Sequence, residues 1–455
     1  MIKLFSKKQL EILLPILFVV LGFVFECIGF YPGFMSRDSL VQYGAAKSLE
    51  FGDWHPPIMA IWWSVLNRCF DGPQGLLYFH QLCLWLALYI WYYQYRSNRY
   101  SWFILGVGVL PWIINFSGVL WKDVGMAFSL LLFSSLINTK KNTVSIMLAF
   151  LTIFYALNLR HNAIFAVPPL LGCFLKMWRP RSSWLVIGVF TIASSFGLLK
   201  AGNLLSYGLM KAKNEYTFNY IIIDDLTRIS LERGQSLIPN VTLDEIKSCA
   251  LTDSKEVKIF TNYFCLSELK SESGSVFFNY DLKYLWIEQI KQDPLNVLKL
   301  RINAFMIFLN SKSYYIWHPG VDDNVFKIYK NENNINKIIK KIVFLTAKLV
   351  PFLFMPSFWL WLGVHLILIS CAFSTSSIVQ VMRTLLISGV FYILGYLPIT
   401  TAADFRFIYW SVIAISLAVL LFVINRKEIS LRRVRILERF IIVVVSGFST
   451  YILFI

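Results

Sequence analysis

The chain has 455 residues, of which 57% are hydrophobic, 17% aromatic and only 15% charged, with a formal net charge of +17. A mean hydropathy of +0.60, with far fewer charges than the roughly 25% of soluble domains, excludes an ordinary soluble globular protein. The basic excess sits in short loops between apolar runs, at Lys3, Lys7 and Lys8, Arg96 and Arg99, Lys140 and Lys141, Arg179 and Arg181, and from Arg426 to Arg435. This is the positive-inside pattern, which orients helices against an anionic cytoplasmic face, and it does not indicate a nucleic-acid partner.

The first apolar segment, Glu11 to Phe30, is too long for a signal-peptide core and has no small-residue cleavage site after it. It reads as a retained helix over 9–30 with a cytoplasmic N-terminus. It delivers the loop Tyr31 to Pro57 to the outer side, carrying Arg37, Asp38, Asp53 and His55. The Trp-rich piece Ile58 to Phe70 is too short for the ~30 Å hydrocarbon core and reads as interfacial or half-inserted. Spans follow at 75–95, 101–119 and 124–138, the last two separated by Trp121, Lys122 and Asp123. Spans at 144–159 and 163–178 flank Arg160, His161 and Asn162, and another at 184–206 exits outward.

From 206 to 341 the apolar runs shorten and polar residues with balanced charge take over, as in a small mixed domain outside the bilayer. Helical apolar spacing over 281–308 suits a segment lying along the membrane surface. Most of the seven cysteines fall in apolar segments; Cys249 and Cys265 fall in this region, either paired or as two free thiols. Apolar sequence resumes at 342–373, where Pro351 and Pro356 predict bends. Spans at 384–400 and 405–425 bracket Thr400 to Arg406, and a last one covers 437–454. The expected architecture is an all-α polytopic membrane protein with about eleven spans. Its expected parts are a membrane module over 1–205, an extracytoplasmic mixed domain over 206–341 and a second membrane module over 342–455.

One orientation places every basic loop inside. It also places Asp38, His55, Lys122, Asp123, Arg160, His161, Asp404 and Arg406 outside. Convergent cations without a matching crowd of carboxylates suit a phosphate, and apolar helices beside them offer a groove for a lipid tail. Asp38, with Ser39 and Gln42 after it, is the best-placed general base toward an acceptor hydroxyl. A phosphate neutralised by cations leaves readily, so no metal or other cofactor is required. Plainer readings stand beside this one. Lys122–Asp123 and Asp404–Arg406 suit neutralising pairs. Arg160–His161 suits interfacial snorkelling, and His55 before Pro56 and Pro57 suits a helix start. His80 and His365 read as packing residues. Tyr314, Tyr315, Trp317 and His318 read as an interfacial aromatic belt or a sugar-stacking surface.

The motifs Ser36-Arg37-Asp38-Ser39, Asp53-Trp54-His55-Pro56-Pro57, Trp121-Lys122-Asp123, Arg160-His161-Asn162 and Asp404-Phe405-Arg406 together resemble the GT-C superfamily of integral membrane glycosyltransferases. The likeness covers roughly the first 165 residues and the region near 400. It implies a polyprenyl-phosphate sugar as donor, Asp38 as catalytic base, and His55 and Arg406 at the donor phosphate. Lys122, Arg160 and His161 are expected beside that phosphate, with Arg37, Asp53, Asp123 and Asp404 in support. A single acidic residue at the first motif, where many members carry two, favours the metal-independent, lipid-monophosphate branch. Size and layout resemble bacterial enzymes that modify O antigen or other surface polysaccharides, acting on an extracytoplasmic glycan from the inner membrane. A transporter or lipid flippase is the alternative, against which stand the lack of internal symmetry and the one-sided placement of charge. Transfer of another group, such as phosphoethanolamine, would need a nucleophile and metal ligands that the sequence does not assemble.

Overall fold

The computed structural model describes residues 7–139, 142–239, 241–251, 282–311, 324–329, 332–371 and 376–425, with short islands at 270–271, 274–275 and 316. The helices that matter for the site are α1 (Lys7–Phe30), α2 (Arg37–Ser48), α3 (Ile58–Leu66), α4 (Gln74–Tyr95), α5 (Pro111–Ser117), α6 (Lys122–Ile137), α7 (Thr143–Leu159), α8 (Val167–Trp178) and α9 (Trp184–Asn203). They are followed by α10 (Asn219–Arg233), α11 (Leu282–Gln292), α12 (Pro294–Asn310), α13 (Asn334–Leu349), α14 (Pro356–Ser370), α15 (Ser377–Leu394) and α16 (Tyr409–Ile424). Apart from a two-residue antiparallel pairing at Lys270–Ser271 and Gly274–Ser275 and the isolated bridges Phe34–Val119 and Gly52–Lys213, the regular structure among the described residues is helical.

Glu11–Phe30, Gln74–Tyr95, Trp184–Leu209, Ser377–Leu394 and Phe405–Ile424 are each long and apolar enough to cross a membrane. Arg99–Val109 with Pro111–Ser117 makes a sixth if taken as one span bent by 45°. That bend falls on Pro111, which forces Leu110 out of the helical region (φ −60°, ψ 134°). Thr143–Leu159 and Pro356–Ser370 are apolar but shorter. On α1 the residues Ile12, Leu13, Leu17, Leu21 and Val24 are exposed. In water such a stripe would be costly, and against lipid it is at home.

The core is built around α6, in which every residue from Asp123 to Ile137 is buried. It packs against α4, α7 and α16. The hydroxyls of Ser134 and Ser135 donate back to the carbonyls of Leu131 and Leu132, which satisfies them inside this apolar setting. Helices α10 and α11 enclose a separate small core of Ile222, Ile223, Leu226, Ile238, Val241, Ile246 and Leu282. The stretch expected as one surface segment over 281–308 is two helices. Pro294 begins the second and Asp293 caps it, accepting from the Asn296 N–H at 3.1 Å. Pro351 and Pro356 do break the 342–373 region, separating α13 from α14. The Cys249–Cys265 pairing, the belt at Tyr314, Tyr315, Trp317 and His318, the Arg426–Arg435 loop and the 437–454 span lie outside the described residues.

Candidate active site

The loop after α1 is stitched backbone to backbone onto the turn before α6. Phe34 N–H donates to Gly118 O at 3.0 Å and Leu120 N–H donates to Phe34 O at 2.8 Å. The approach is close enough to require glycine, since a Cβ on Gly118 would lie 1.8 Å from Phe30 Cγ. Side chains extend the seam: Ser39 Oγ donates to Leu120 O at 2.9 Å, and Trp121 Nε1 donates to Ser36 Oγ at 2.8 Å. Asp38 therefore sits in the first turn of α2, where the helix dipole favours a negative charge. Lys122, the first residue of α6, is brought to the same place.

Most of the ionisable residues named from the sequence converge here. Arg406 Nη1 lies 3.2 Å from Asp38 Oδ2 and His55 Nε2 lies 3.9 Å from Asp38 Oδ1. Lys122 Nζ lies 3.1 Å from His55 Nδ1. Arg160 forms a buried ion pair with Asp123 and donates through Nε to Asn162 Oδ1 at 3.2 Å. Asp404 accepts from the Arg406 N–H at 3.0 Å. Arg406 Nε is 2.7 Å from Asp404 Oδ2 but does not aim its hydrogen at it, so the contact is ionic without being a hydrogen bond. Rings hold the guanidinium groups in place: Arg406 lies over Trp121 at 4.5 Å and Arg160 over Phe407 at 4.8 Å. Behind them, Asn162 Nδ2 donates to Tyr392 OH at 3.3 Å and Tyr396 OH donates to Phe407 O at 3.1 Å.

Electrostatics assign distinct states to these groups. Burial by itself raises the Asp38 pKa, but the charges of Arg406 and Lys122 outweigh it and hold the carboxyl below its usual range. Burial and the Lys122 ammonium push His55 down to about 3, so its ring is neutral at physiological pH. With the Lys122 ammonium donating to Nδ1, the ring hydrogen belongs on Nε2, facing Asp38. Lys122 is pushed down to about 8 by burial and by Arg160. Burial raises Asp404 to about 6 against the pull of Arg406. Burial and Lys122 lower His161. Arg160 and Arg406 are each matched by carboxylates, while among the described residues Lys122 makes no ion pair.

The site is both enclosed and wet. Protein surrounds the Asp38 carboxyl, yet its side chain remains 36% exposed, whereas His55 is 7% exposed. His161 is likewise exposed while standing within reach of Lys122, Asp53 and Arg160. Such surroundings belong to the wall of an open recess. The geometry can hold an anion at Lys122 and present a charged carboxylate to a hydroxyl. Among the described residues, no group of metal-ligating side chains converges to hold an ion.

Two supporting residues stand outside the ion-pair cluster. Asp53 is a clamp between the first loop and the segment after α9, accepting from the Glu215 N–H at 2.6 Å and from Tyr207 OH at 2.7 Å. Gly52 lets Glu215 in, since a Cβ there would lie 2.5 Å from Glu215 Oε1. Arg37 is exposed and stands outside the ion-pair cluster. Sequence reasoning missed Asp225 and Arg301, whose 2.6 Å buried ion pair joins α10 to α12. Arg301 also donates to Thr400 O at 3.0 Å and thereby fixes the loop that carries Asp404 and Arg406. No motif marks these residues among the many charges of that region. It also missed Glu26, buried in α1 and bonded to Ser117 Oγ. Here a signal existed, since a lone acid in an apolar helix is informative by itself.

Comparison with known protein families, with curated proteins and with solved structures returns no significant match to this chain.

Proposed function

We propose that the chain is an inverting glycosyltransferase of the GT-C type. It moves a sugar from a polyprenyl-phosphate donor to an extracytoplasmic glycan or lipid-linked acceptor, in an O-antigen-type modification. In this reading it crosses the bacterial inner membrane about eleven times, with the N-terminus cytoplasmic and the polar 206–341 region and the recess outside. What supports the reading is one observation: Asp38, the Lys122–His55 pair and Arg406 meet in one cluster in which the Asp38 side chain keeps 36% of its surface exposed. An acceptor hydroxyl attacks the anomeric carbon from the face opposite the phosphate. Asp38 takes its proton as the new carbon–oxygen bond forms. The bond from that carbon to the phosphate oxygen breaks, and the polyprenyl phosphate leaves with its charge held by Lys122 and Arg406.

The test is chemical analysis of lipid extracts and surface glycans from cells carrying the wild-type gene, no gene, or Asp38→Asn. A sugar present only with the wild type is the expected result, and identical glycans in all three would end the reading. A transporter or flippase is favoured only by the buried Glu26 in α1. Cysteines placed at 38, 55, 122, 161 and 406 and labelled from the outer side discriminate the two, since transport requires their access to alternate.

A further inference from the structure

Helix α13 (Asn334–Leu349) carries three different faces. At ~100° per residue, the buried residues Asn336, Ile339, Val343 and Ala347 form one stripe, packed on α1 and α5. The exposed Ile338, Ile342, Leu345 and Leu349 form a second. The exposed Lys337, Lys341 and Lys348 form a third, within about 40° of one another, bordered on its far side by the exposed Phe344 and then Lys340. Both ends of the helix lie on the side of the recess. At its start Asn333 Nδ2 donates to Ile28 O at 2.6 Å, beside the outer end of α1. Just past its end, Phe354 packs on Phe405 with ring centroids 5.9 Å apart, next to Arg406. A helix of about 24 Å whose two ends reach the same rim runs along the membrane surface and does not cross the bilayer.

We infer that α13 is an interfacial docking surface for anionic phospholipid, whose headgroup phosphates sit on Lys337, Lys341 and Lys348 while acyl chains lie against Ile338, Ile342, Leu345 and Leu349. A soluble polyanion would use the lysines and leave the apolar stripe in water. A lipid uses both, and the two stripes are adjacent as headgroup and chain are. The lysines also oppose the positive-inside distribution of the rest of the chain, so topology does not account for them. This inference rests on the membrane orientation of the proposed reading and not on the transfer reaction.

The test uses the full chain in detergent, titrated with phosphatidylglycerol and phosphatidylcholine of matched chains, with lipid retention read by native mass spectrometry. Lys337→Gln/Lys341→Gln/Lys348→Gln should lower the preference for phosphatidylglycerol by about fivefold or more, since one lysine at an anionic surface is worth about that factor. Ile342→Asn/Leu345→Asn should lower retention with the lysines intact, and salt should weaken the wild-type preference. An unchanged preference in the lysine variant, or in its single Lys341→Gln form should the triple fail to fold, overturns the inference. Loss in the lysine variant with none in the apolar variant also overturns it and points to a soluble polyanion.

Discussion

Lys122 Nζ stands 3.1 Å from His55 Nδ1, and burial lowers the pKa of both residues. It keeps the imidazole neutral with the help of the neighbouring ammonium, and together with Arg160 it leaves that ammonium only weakly held in its charged form. A cation that meets a neutral ring instead of a carboxylate is available to an incoming phosphate.

The first prediction concerns pH. Lys122 is charged below about 8 and loses its proton as pH rises through that value, so retention of undecaprenyl phosphate should fall across the same range. Lys122→Arg keeps its charge at any accessible pH and should remove that basic limb. A wild-type profile that stays flat from about pH 7 to 9.5 would contradict the assignment, since ordinary lysines titrate near 10.4.

Asp38→Asn should lower sugar transfer in membrane vesicles by about 10²–10⁴-fold, the usual worth of a positioned base. Arg406 loses one of its anionic partners in this variant. Retention of the donor lipid should therefore be unchanged or stronger, which separates loss of chemistry from loss of binding. Weakened donor retention would mean that Asp38 organises the recess and does not act on the acceptor.

The Arg160–Asp123 pair is structural in its energetics, being 14% and 2% exposed on its two sides. Asp123→Asn leaves a buried guanidinium uncompensated and should cost roughly 3–5 kcal/mol of stability. The double variant Arg160→Gln/Asp123→Asn should be less damaging than either single change. Thermal unfolding in detergent measures all three, and additive effects would show that the two side chains act independently.

Arg301→Gln removes the donor to Thr400 O as well as the partner of Asp225. Amide exchange at residues 400–407 should accelerate more than exchange in α6, which Arg301 does not touch. Equal acceleration everywhere would indicate general destabilisation and no specific hold on the Arg406 loop.

Donor retention should also respond to Asp404. Burial raises its pKa to about 6 against the pull of Arg406, so the carboxyl becomes neutral as pH falls through that value and Arg406 is then less compensated. Retention of undecaprenyl phosphate should strengthen between about pH 7 and 5, provided the lipid keeps its charge, and Asp404→Asn should remove that change. A response that survives in Asp404→Asn must come from another group.

The apolar runs determined by themselves that this chain holds several helices apolar enough to cross a membrane, and the isolated polar motifs marked most of the charged residues that meet in the fold. Periodicity and charge act locally, so short stretches carry that information. The same stretches do not reveal that Asp53 grips the Glu215 backbone and Tyr207, that Arg301 holds Thr400, or that Lys122 faces a histidine where a carboxylate was available. Those pairings join residues distant in sequence, and nothing in either partner's neighbourhood specifies the other. The three faces of α13 show the division within one helix. Its lysines and isoleucines can be read from spacing, but which stripe meets protein was settled only when α1 and α5 covered Ile339 and Val343. Burial is a property of what packs alongside, and only the assembled helices supply it.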